Sequence, residues 1–174
     1  MKFVLAFVLL TIGFAGTVEA QKVFATRNGK ISFIAPNDDD VKAVNNEVTS
    51  RIADNGQITF SMLIKGFRFK LAEMQDHFND QYLQSMTFPR ADFKGTITNL
   101  ADVNFGKDGI YKVTVKGDLN MHGVTKNMSA TGTIEIKGGK PIATAQFTLM
   151  LKDFNIEAKS VTDKVTVELN CQYQ

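Results

Sequence analysis

The sequence predicts an all-β protein of about eight strands with one inserted amphipathic helix. Apolar and polar residues alternate over most of the chain, as they do in strands that bury only one face. Pairs that suit positive-φ hairpin turns separate the alternating segments, namely Asn28-Gly29, Asn55-Gly56, Asp108-Gly109 and Gly138-Gly139. Consecutive strands should therefore be antiparallel neighbours, in either a closed up-and-down barrel or a sandwich.

The first twenty residues predict a secretory signal peptide. A lysine precedes an apolar run that starts at Phe3 and continues to about Ala15, and the stretch closes with the small residue Ala20. The run is too short and too rich in glycine for a membrane-spanning helix, which needs about 20 apolar residues. We therefore expect cleavage near Ala20 and a periplasmic or secreted protein, in which residues 21–174 form one domain.

Six segments show the alternation clearly, and each predicts a strand with one inward-facing set of residues. In chain order, the expected inward sets are Ile58, Phe60, Met62 and Ile64; Phe93 and Ile97; Tyr111, Val113, Val115 and Leu119; Met128, Ala130, Gly132, Ile134 and Ile136; Ala143, Ala145, Phe147, Leu149 and Leu151; and Val165, Val167, Leu169 and Cys171. Residues 23–36 add a first hairpin around Asn28-Gly29, where the alternation is less regular.

One segment has helical instead of alternating spacing. Between Leu71 and Met86, apolar residues recur at steps of three and four, and Pro89 is expected to end the helix soon afterwards. The apolar face of this helix carries Leu71, Met74, Phe78, Tyr82 and Met86. A lone helix inserted between strands of a barrel is expected to close one end of it.

Charge and cysteine content exclude several classes of protein. The formal net charge is only +2, with both signs spread along the chain, so no basic face for nucleic acid is expected. Cys171 is the single cysteine, which rules out an internal disulfide. Because Cys171 continues the alternation of the last strand, we expect a buried thiol.

The two histidines are weak candidates for catalysis or metal binding. A nucleophilic site would need Ser or Thr with His77 or His122 as base, and no nucleophile motif accompanies either residue. Glu73 and His77 stand four apart on the helix, close to Asp76 and Asp80, but this set is incomplete for a metal. We expect His122 to be a water-exposed turn residue before Gly123, and we expect neither catalytic residues nor a metal site.

The apolar composition leaves two interpretations open, a filled core and a ligand cavity. Eleven of the fourteen phenylalanines follow the signal peptide, and there is no tryptophan. A barrel of about eight strands has an interior that either fills with side chains or holds one ligand. Small inward residues leave room there, namely Gly117, Ala130, Gly132, Ala143 and Ala145. An apolar guest would remove the cost of that empty space.

Three stretches resemble motifs of the YceI-like family. Residues 117–134, GDLNMHGVTKNMSATGTI, resemble its signature hairpin, and residues 74–97 resemble its helix, which ends in an aromatic-Pro step before a strand. Residues 147–156, FTLMLKDFNI, resemble its late strand ending in D-F-G-I, with Asn155 in place of the glycine. The resemblance covers residues 22–172. It implies an exported, lipocalin-like, extended antiparallel β-barrel that binds a polyisoprenoid, such as an isoprenoid quinone, and has no catalytic activity.

The ligand-binding residues that we predict for this apolar pocket are Phe60, Met62, Phe67, Phe69, Met74, Phe78, Tyr82, Phe93, Val113, Val115, Ile134, Phe147 and Leu149. Tyr82 is placed to offer its hydroxyl to a polar head group. The expected partners are the apolar lipid and, transiently, a membrane surface, with the protein a monomer or homodimer and without a cofactor. The alternatives are an envelope stress or structural module with a filled barrel and, less favoured, a His-dependent hydrolase.

Overall fold

The computed structural model describes residues 21–36, 38–158 and 162–174, so the predicted signal peptide lies outside the described residues. Within them the strands are β1 Val23–Ala35, β2 Asp38–Ala53, β3 Gln57–Leu63, β4 Arg68–Phe69, β5 Arg90–Ile97, β6 Gly109–Met121, β7 Val124–Lys137, β8 Lys140–Met150 and β9 Lys164–Gln172. An α-helix, α1 Ala72–Asp76, continues as a π-helical segment, His77–Tyr82. Short 3-10 helices span Ile64–Gly66, Leu100–Asp102 and Leu151–Phe154.

Eight of the strands form a closed antiparallel barrel. Their order is β1-β9-β8-β7-β6-β5-β3-β2, and pairing between β1 and β2 closes the circle. The two-residue β4 pairs with β2 outside this ring. The predicted all-β class, the strand number and the inserted helix are therefore confirmed, and the barrel replaces the sandwich alternative.

The two ends of the barrel differ. One end carries the β2–β3 and β7–β8 turns and is filled, because Phe24 stacks on Phe105 there with ring centroids 5.8 Å apart and Ile52, Ile97 and Ile136 are buried. The opposite end, called here the helix end, carries α1, the π-helical segment, the β6–β7 turn and the β8–β9 connection. Any space inside the barrel must therefore lie toward the helix end.

The predicted first hairpin around Asn28-Gly29 is wrong, because β1 runs straight through it. The register with β2 shifts on both sides of Gly29, which marks a bulge. A Cβ atom at Gly29 would lie 2.5 Å from Cys171 Sγ and 3.2 Å from Val48 Cβ. The glycine thus serves close packing between strands and not a turn.

The other turn pairs give a mixed outcome. Asn55-Gly56 and Gly138-Gly139 are turns, as predicted, and all three glycines have positive φ. Asp108-Gly109 is not a hairpin turn, since Gly109 begins β6. The Asp108 carboxylate instead accepts a hydrogen bond from the backbone N–H of Gly138, at 3.0 Å, and so stabilises the neighbouring β7–β8 turn.

The helix is shorter than predicted and ends at Tyr82. The Leu83 N–H bonds to the Phe78 carbonyl, five residues back, and Gln84 then adopts φ +44°. This wider winding and the left-handed residue after it end the helix before Pro89 can do so. Met86, expected on the apolar face, is 77% exposed.

Cys171 is fully buried beside a short polar chain near the filled end. The Ser50 hydroxyl donates to the Thr59 carbonyl oxygen at 2.9 Å, so the Tyr173 hydroxyl donates to Ser50 Oγ at 2.7 Å. Burial raises the pKa of the Cys171 thiol from 9.0 to about 12. Burial also raises the pKa of Tyr173. The buried-thiol prediction is confirmed.

The Cys171 pKa predicts a loss of stability in alkali. Since the folded state holds the thiol proton more tightly than the unfolded state, the stabilisation is complete below pH 9 and is lost as pH rises toward 12. The slope approaches about 1.4 kcal/mol per pH unit. Urea unfolding between pH 7 and pH 10 should show this fall for the wild type and a flatter profile for Cys171→Ala. Identical profiles would contradict the assignment.

Candidate functional site: an apolar barrel cavity

A cavity of about 250 Å³ occupies the barrel between its middle and the helix end. It is neither a sealed void nor a surface groove, and its volume lies just below the usual range for ligand pockets, about 300–1,000 Å³. Every strand contributes to the wall, as do α1 and the π-helical segment. The barrel is therefore not filled by its own side chains.

All thirteen residues predicted for the pocket lie on the wall of this cavity. Those from β3 and β5–β8 are inward-facing members of the alternating sets, and Met74, Phe78 and Tyr82 reach the cavity from the helical segments. Phe67 and Phe69 lie on the segment between the 3-10 helix Ile64–Gly66 and α1. Barrel closure brings the strand residues together, because inward-facing residues of a barrel all face the same interior. For all thirteen, contact with a ligand stays a prediction.

Four phenylalanines pack together where the helical segments meet the barrel. The Phe78 ring is central, with centroids 5.7 Å from Phe33, 5.6 Å from Phe67 and 5.0 Å from Phe69. The Phe33 contact is stacked and the other two are edge-on and tilted, and aromatic contacts of these kinds add to the stabilisation from burial. The cluster anchors the helical segments to β1 and β4 and forms one wall of the cavity.

The space in the barrel comes from small residues on β7 and β8. Ala130, Gly132, Ala143 and Ala145 line the cavity, as expected. Gly117, the fifth small residue, does not contribute. It pairs with Gly95, and the Phe93 ring lies against both glycines, so that protein atoms take up the space that Gly117 was expected to leave open.

Gly117→Ala is expected to destabilise the barrel. A methyl group at this position would collide with the Lys94 carbonyl oxygen and come 2.8 Å from the Phe93 ring. Overpacking of this kind costs about 1–3 kcal/mol. The matched control is Gly106→Ala, which would meet only Asn104 Oδ1 at 3.3 Å. Equal unfolding midpoints in urea for the two variants would refute the packing role of Gly117.

The polar side chains of the described wall are hydroxyl groups and one imidazole. Among the described residues the wall contains no lysine, arginine, aspartate or glutamate. Its polar members are Ser32, His77, Tyr82, Thr131, Thr133, Thr144 and Thr162. Burying an unpaired charge costs far more than burying a hydroxyl. The interior is therefore suited to an apolar chain that ends in an uncharged polar group.

His122 forms a structural contact at the helix end. His122 and Gly123, with φ of +51° and +74°, make a two-residue turn between β6 and β7, so His122 is a turn residue as predicted, and β7 begins at Val124. The ring does not simply face water as expected. Its Nδ1 is 2.9 Å from the Phe154 carbonyl oxygen, and its centroid is 4.5 Å from the Phe88 ring.

His77 lies on the cavity wall, beside the helical residues already described. In residues 21–36, 38–158 and 162–174, no three His, Cys, Asp or Glu side chains are grouped so that they could hold a metal ion.

None of the helices in these ranges is long and apolar enough to cross a membrane.

Sequence reasoning missed wall residues from the first two strands and from the β8–β9 connection. These are Ile31, Ser32, Phe33, Val41, Ile156, Ala158 and Thr162. Phe33 was hidden because the bulge in β1 interrupts the alternation that would have revealed its inward face. The residues after β8 lie outside any regular strand, so no periodic signal marks them.

The model of the YceI-like domain family matches residues 11–173. Among solved structures, the fold is similar to a polyisoprenoid-binding domain from Saccharophagus degradans implicated in plant cell wall breakdown, with TM-score 0.72 and 13% identity over 87% of this chain and 97% of that one. Burkholderia cenocepacia BcnA gives TM-score 0.68 and 16% identity, over 82% and 94%. Campylobacter jejuni YCEI protein gives TM-score 0.55 and 12% identity, over 97% and 98%. No curated protein gives a significant match.

Proposed function

The chain belongs to the family of YceI-like domains, and on that premise we propose that it is an exported carrier that holds a long apolar lipid inside its barrel. The single observation that carries the proposal is the apolar cavity of about 250 Å³. An empty apolar space of this size is costly, whereas an apolar guest restores the missing contacts. Such a protein binds its ligand and performs no reaction.

A polyisoprenoid with an uncharged end, such as a prenol or an isoprenoid quinone, fits the wall best. Burial contributes about 0.8 kcal/mol per CH₂, so a few isoprene units give useful affinity after the cost of association. An anionic head group held inside would find no lysine or arginine among the wall residues described. The polyisoprenoid description of the Saccharophagus domain supports the same class of ligand.

The proposed carrier works outside the cytoplasm, as the N-terminal sequence predicts, and meets membranes transiently. Leu71 and Met86 are exposed at the helix end, and Lys65 Nζ lies 2.9 Å from Met86 Sδ. Apolar side chains beside a cation suit an anionic bilayer surface. Cosedimentation with anionic vesicles that weakens in Leu71→Ser would support this contact, and equal cosedimentation would contradict it.

The test of ligand class is displacement of N-phenyl-1-naphthylamine, a neutral apolar fluorophore, from the purified protein. The dissociation constant obtained for geranylgeraniol should be lower than that for geranylgeranyl diphosphate by a factor of about ten or more, because only the alcohol avoids burying charge. Equal affinity for both would show that the head group stays outside the cavity. Failure to bind the fluorophore and either lipid would contradict the carrier function.

A further inference from the structure

The barrel wall is interrupted between β7 and β8. The two strands pair from Lys137↔Lys140 to Gly132↔Ala145, and within the described chain no further β7–β8 pair follows. Both strands nevertheless continue, β7 back to Val124 and β8 on to Met150. On the sides that face away from this seam both strands stay paired. β7 pairs with β6 along the whole interruption, and β8 pairs with β9 up to Met150↔Lys164. The interruption is thus confined to one seam.

We call the unpaired seam the window, and it is formed by residues 124–131 of β7 and 146–150 of β8. The window is bounded at both ends. The Gly132↔Ala145 pair bounds it toward the middle of the barrel. The contact between His122 Nδ1 and the Phe154 carbonyl oxygen bounds it toward the helix end. That contact joins the β6–β7 turn to the 3-10 helix that follows β8, so it bridges the two sides.

The cavity reaches the outer surface at the window. Alternation points Ala130 and Ala145 inward and Thr131 outward, and Thr131, which lies on the unpaired seam and is exposed to solvent, lines the cavity together with both alanines. Thr133 and Thr144 hydrogen-bond to each other through their hydroxyls, at 2.8 Å, beside the last β7–β8 pair. A solvent-exposed residue on the unpaired seam that also lines the cavity places an opening of the cavity at the window.

We propose that apolar ligands enter and leave the barrel sideways, through this window. The inference rests on the proposed carrier function and adds the route that such a carrier needs. Ala130, Thr131 and Ala145 border the route near the middle of the barrel, and no β7–β8 backbone hydrogen bond has to break beyond Gly132↔Ala145 for a chain-like molecule to pass. The His122–Phe154 contact limits how far β7 and β8 separate, and it therefore controls the rate of passage more than the affinity.

The unpaired strand edges would also suit a strand from a second chain. The cavity lining favours the ligand route, because an added strand would cover Thr131, where the cavity opens. Strand pairing between copies makes its own prediction, namely a dimer whose formation slows ligand exchange as protein concentration rises.

The test measures association and dissociation rates of N-phenyl-1-naphthylamine by stopped flow. Thr131→Trp should cover the window and slow both rates by about tenfold, while the dissociation constant stays within about twofold. The matched control is Thr96→Trp, on the outer face of β5, where pairing to both β3 and β6 is complete. This control should exchange at the wild-type rate.

A second variant tests the other boundary. His122→Asn keeps a residue that tolerates positive φ but removes the imidazole contact, so both rates should rise. Wild-type rates in both Thr131→Trp and His122→Asn would overturn the window and leave the carrier function intact. Exchange that slows with protein concentration, together with a dimer in sedimentation, would also overturn it. If neither the wild type nor any of the three variants bound N-phenyl-1-naphthylamine, the carrier function and the window would both be contradicted.

Discussion

Ala145→Phe is expected to reduce lipid affinity by about a hundredfold or more while the barrel stays folded. Ala145 lines the cavity, and its half-buried side chain borders the space that the ligand would occupy. A phenyl ring there takes the place of several methylenes, and the loss of about four of them removes roughly 3 kcal/mol of binding. Filling an apolar space is not expected to weaken the fold.

The matched control is Gln146→Phe, which adds the same ring to the outward face of the same strand, where Gln146 is exposed. Titration with geranylgeraniol and unfolding in urea should be measured for both variants. Unchanged affinity in Ala145→Phe would show that the ligand does not use this part of the cavity. A loss of affinity in Gln146→Phe would point to an indirect effect on the fold.

Phe78→Ala is expected to be the most destabilising single change at the helix end. The Phe78 ring is 7% exposed and contacts three other phenylalanine rings, so its removal leaves a void where the helical segments join the barrel. Truncating a buried phenylalanine costs about 3–5 kcal/mol. Urea unfolding should show this loss, with increased hydrogen exchange in residues 72–82.

Leu71→Ala is the control for this prediction, since Leu71 immediately precedes α1 and is 48% exposed. It should change stability by less than about 0.5 kcal/mol. A cost below about 1 kcal/mol for Phe78→Ala would mean that the four-ring cluster does not anchor the helical segments.

Most of the strands could be predicted because each buries one face. This gives β3 and β5–β9 a period of two that is visible in sequence, and closure of the barrel then places Phe60, Val113 and Phe147 around one cavity. The N-terminal part was misread because Asn-Gly suits a bulge as well as a turn. What decides between them is the contact of Gly29 with Cys171, which is remote in sequence.

The end of the helix and the window could not be predicted, because both depend on contacts in the folded protein that the local sequence pattern does not show. The spacing from Leu71 to Met86 is helical throughout, and only packing in the folded protein selects the π-helical winding that ends at Tyr82. The end of β7–β8 pairing at Gly132 leaves no mark in the alternation, because both strands continue beyond it. Gly117 was assigned to the cavity since sequence does not show that the Phe93 ring covers it.

Native mass spectrometry of the protein, purified without detergent from the envelope or medium of its own host, tests the central claim most directly. We predict an intact mass that exceeds the denatured chain by one neutral apolar lipid per protein, and a mass difference that disappears after extraction with organic solvent. A native mass equal to the chain alone, with no shift after addition of geranylgeraniol, would contradict the account.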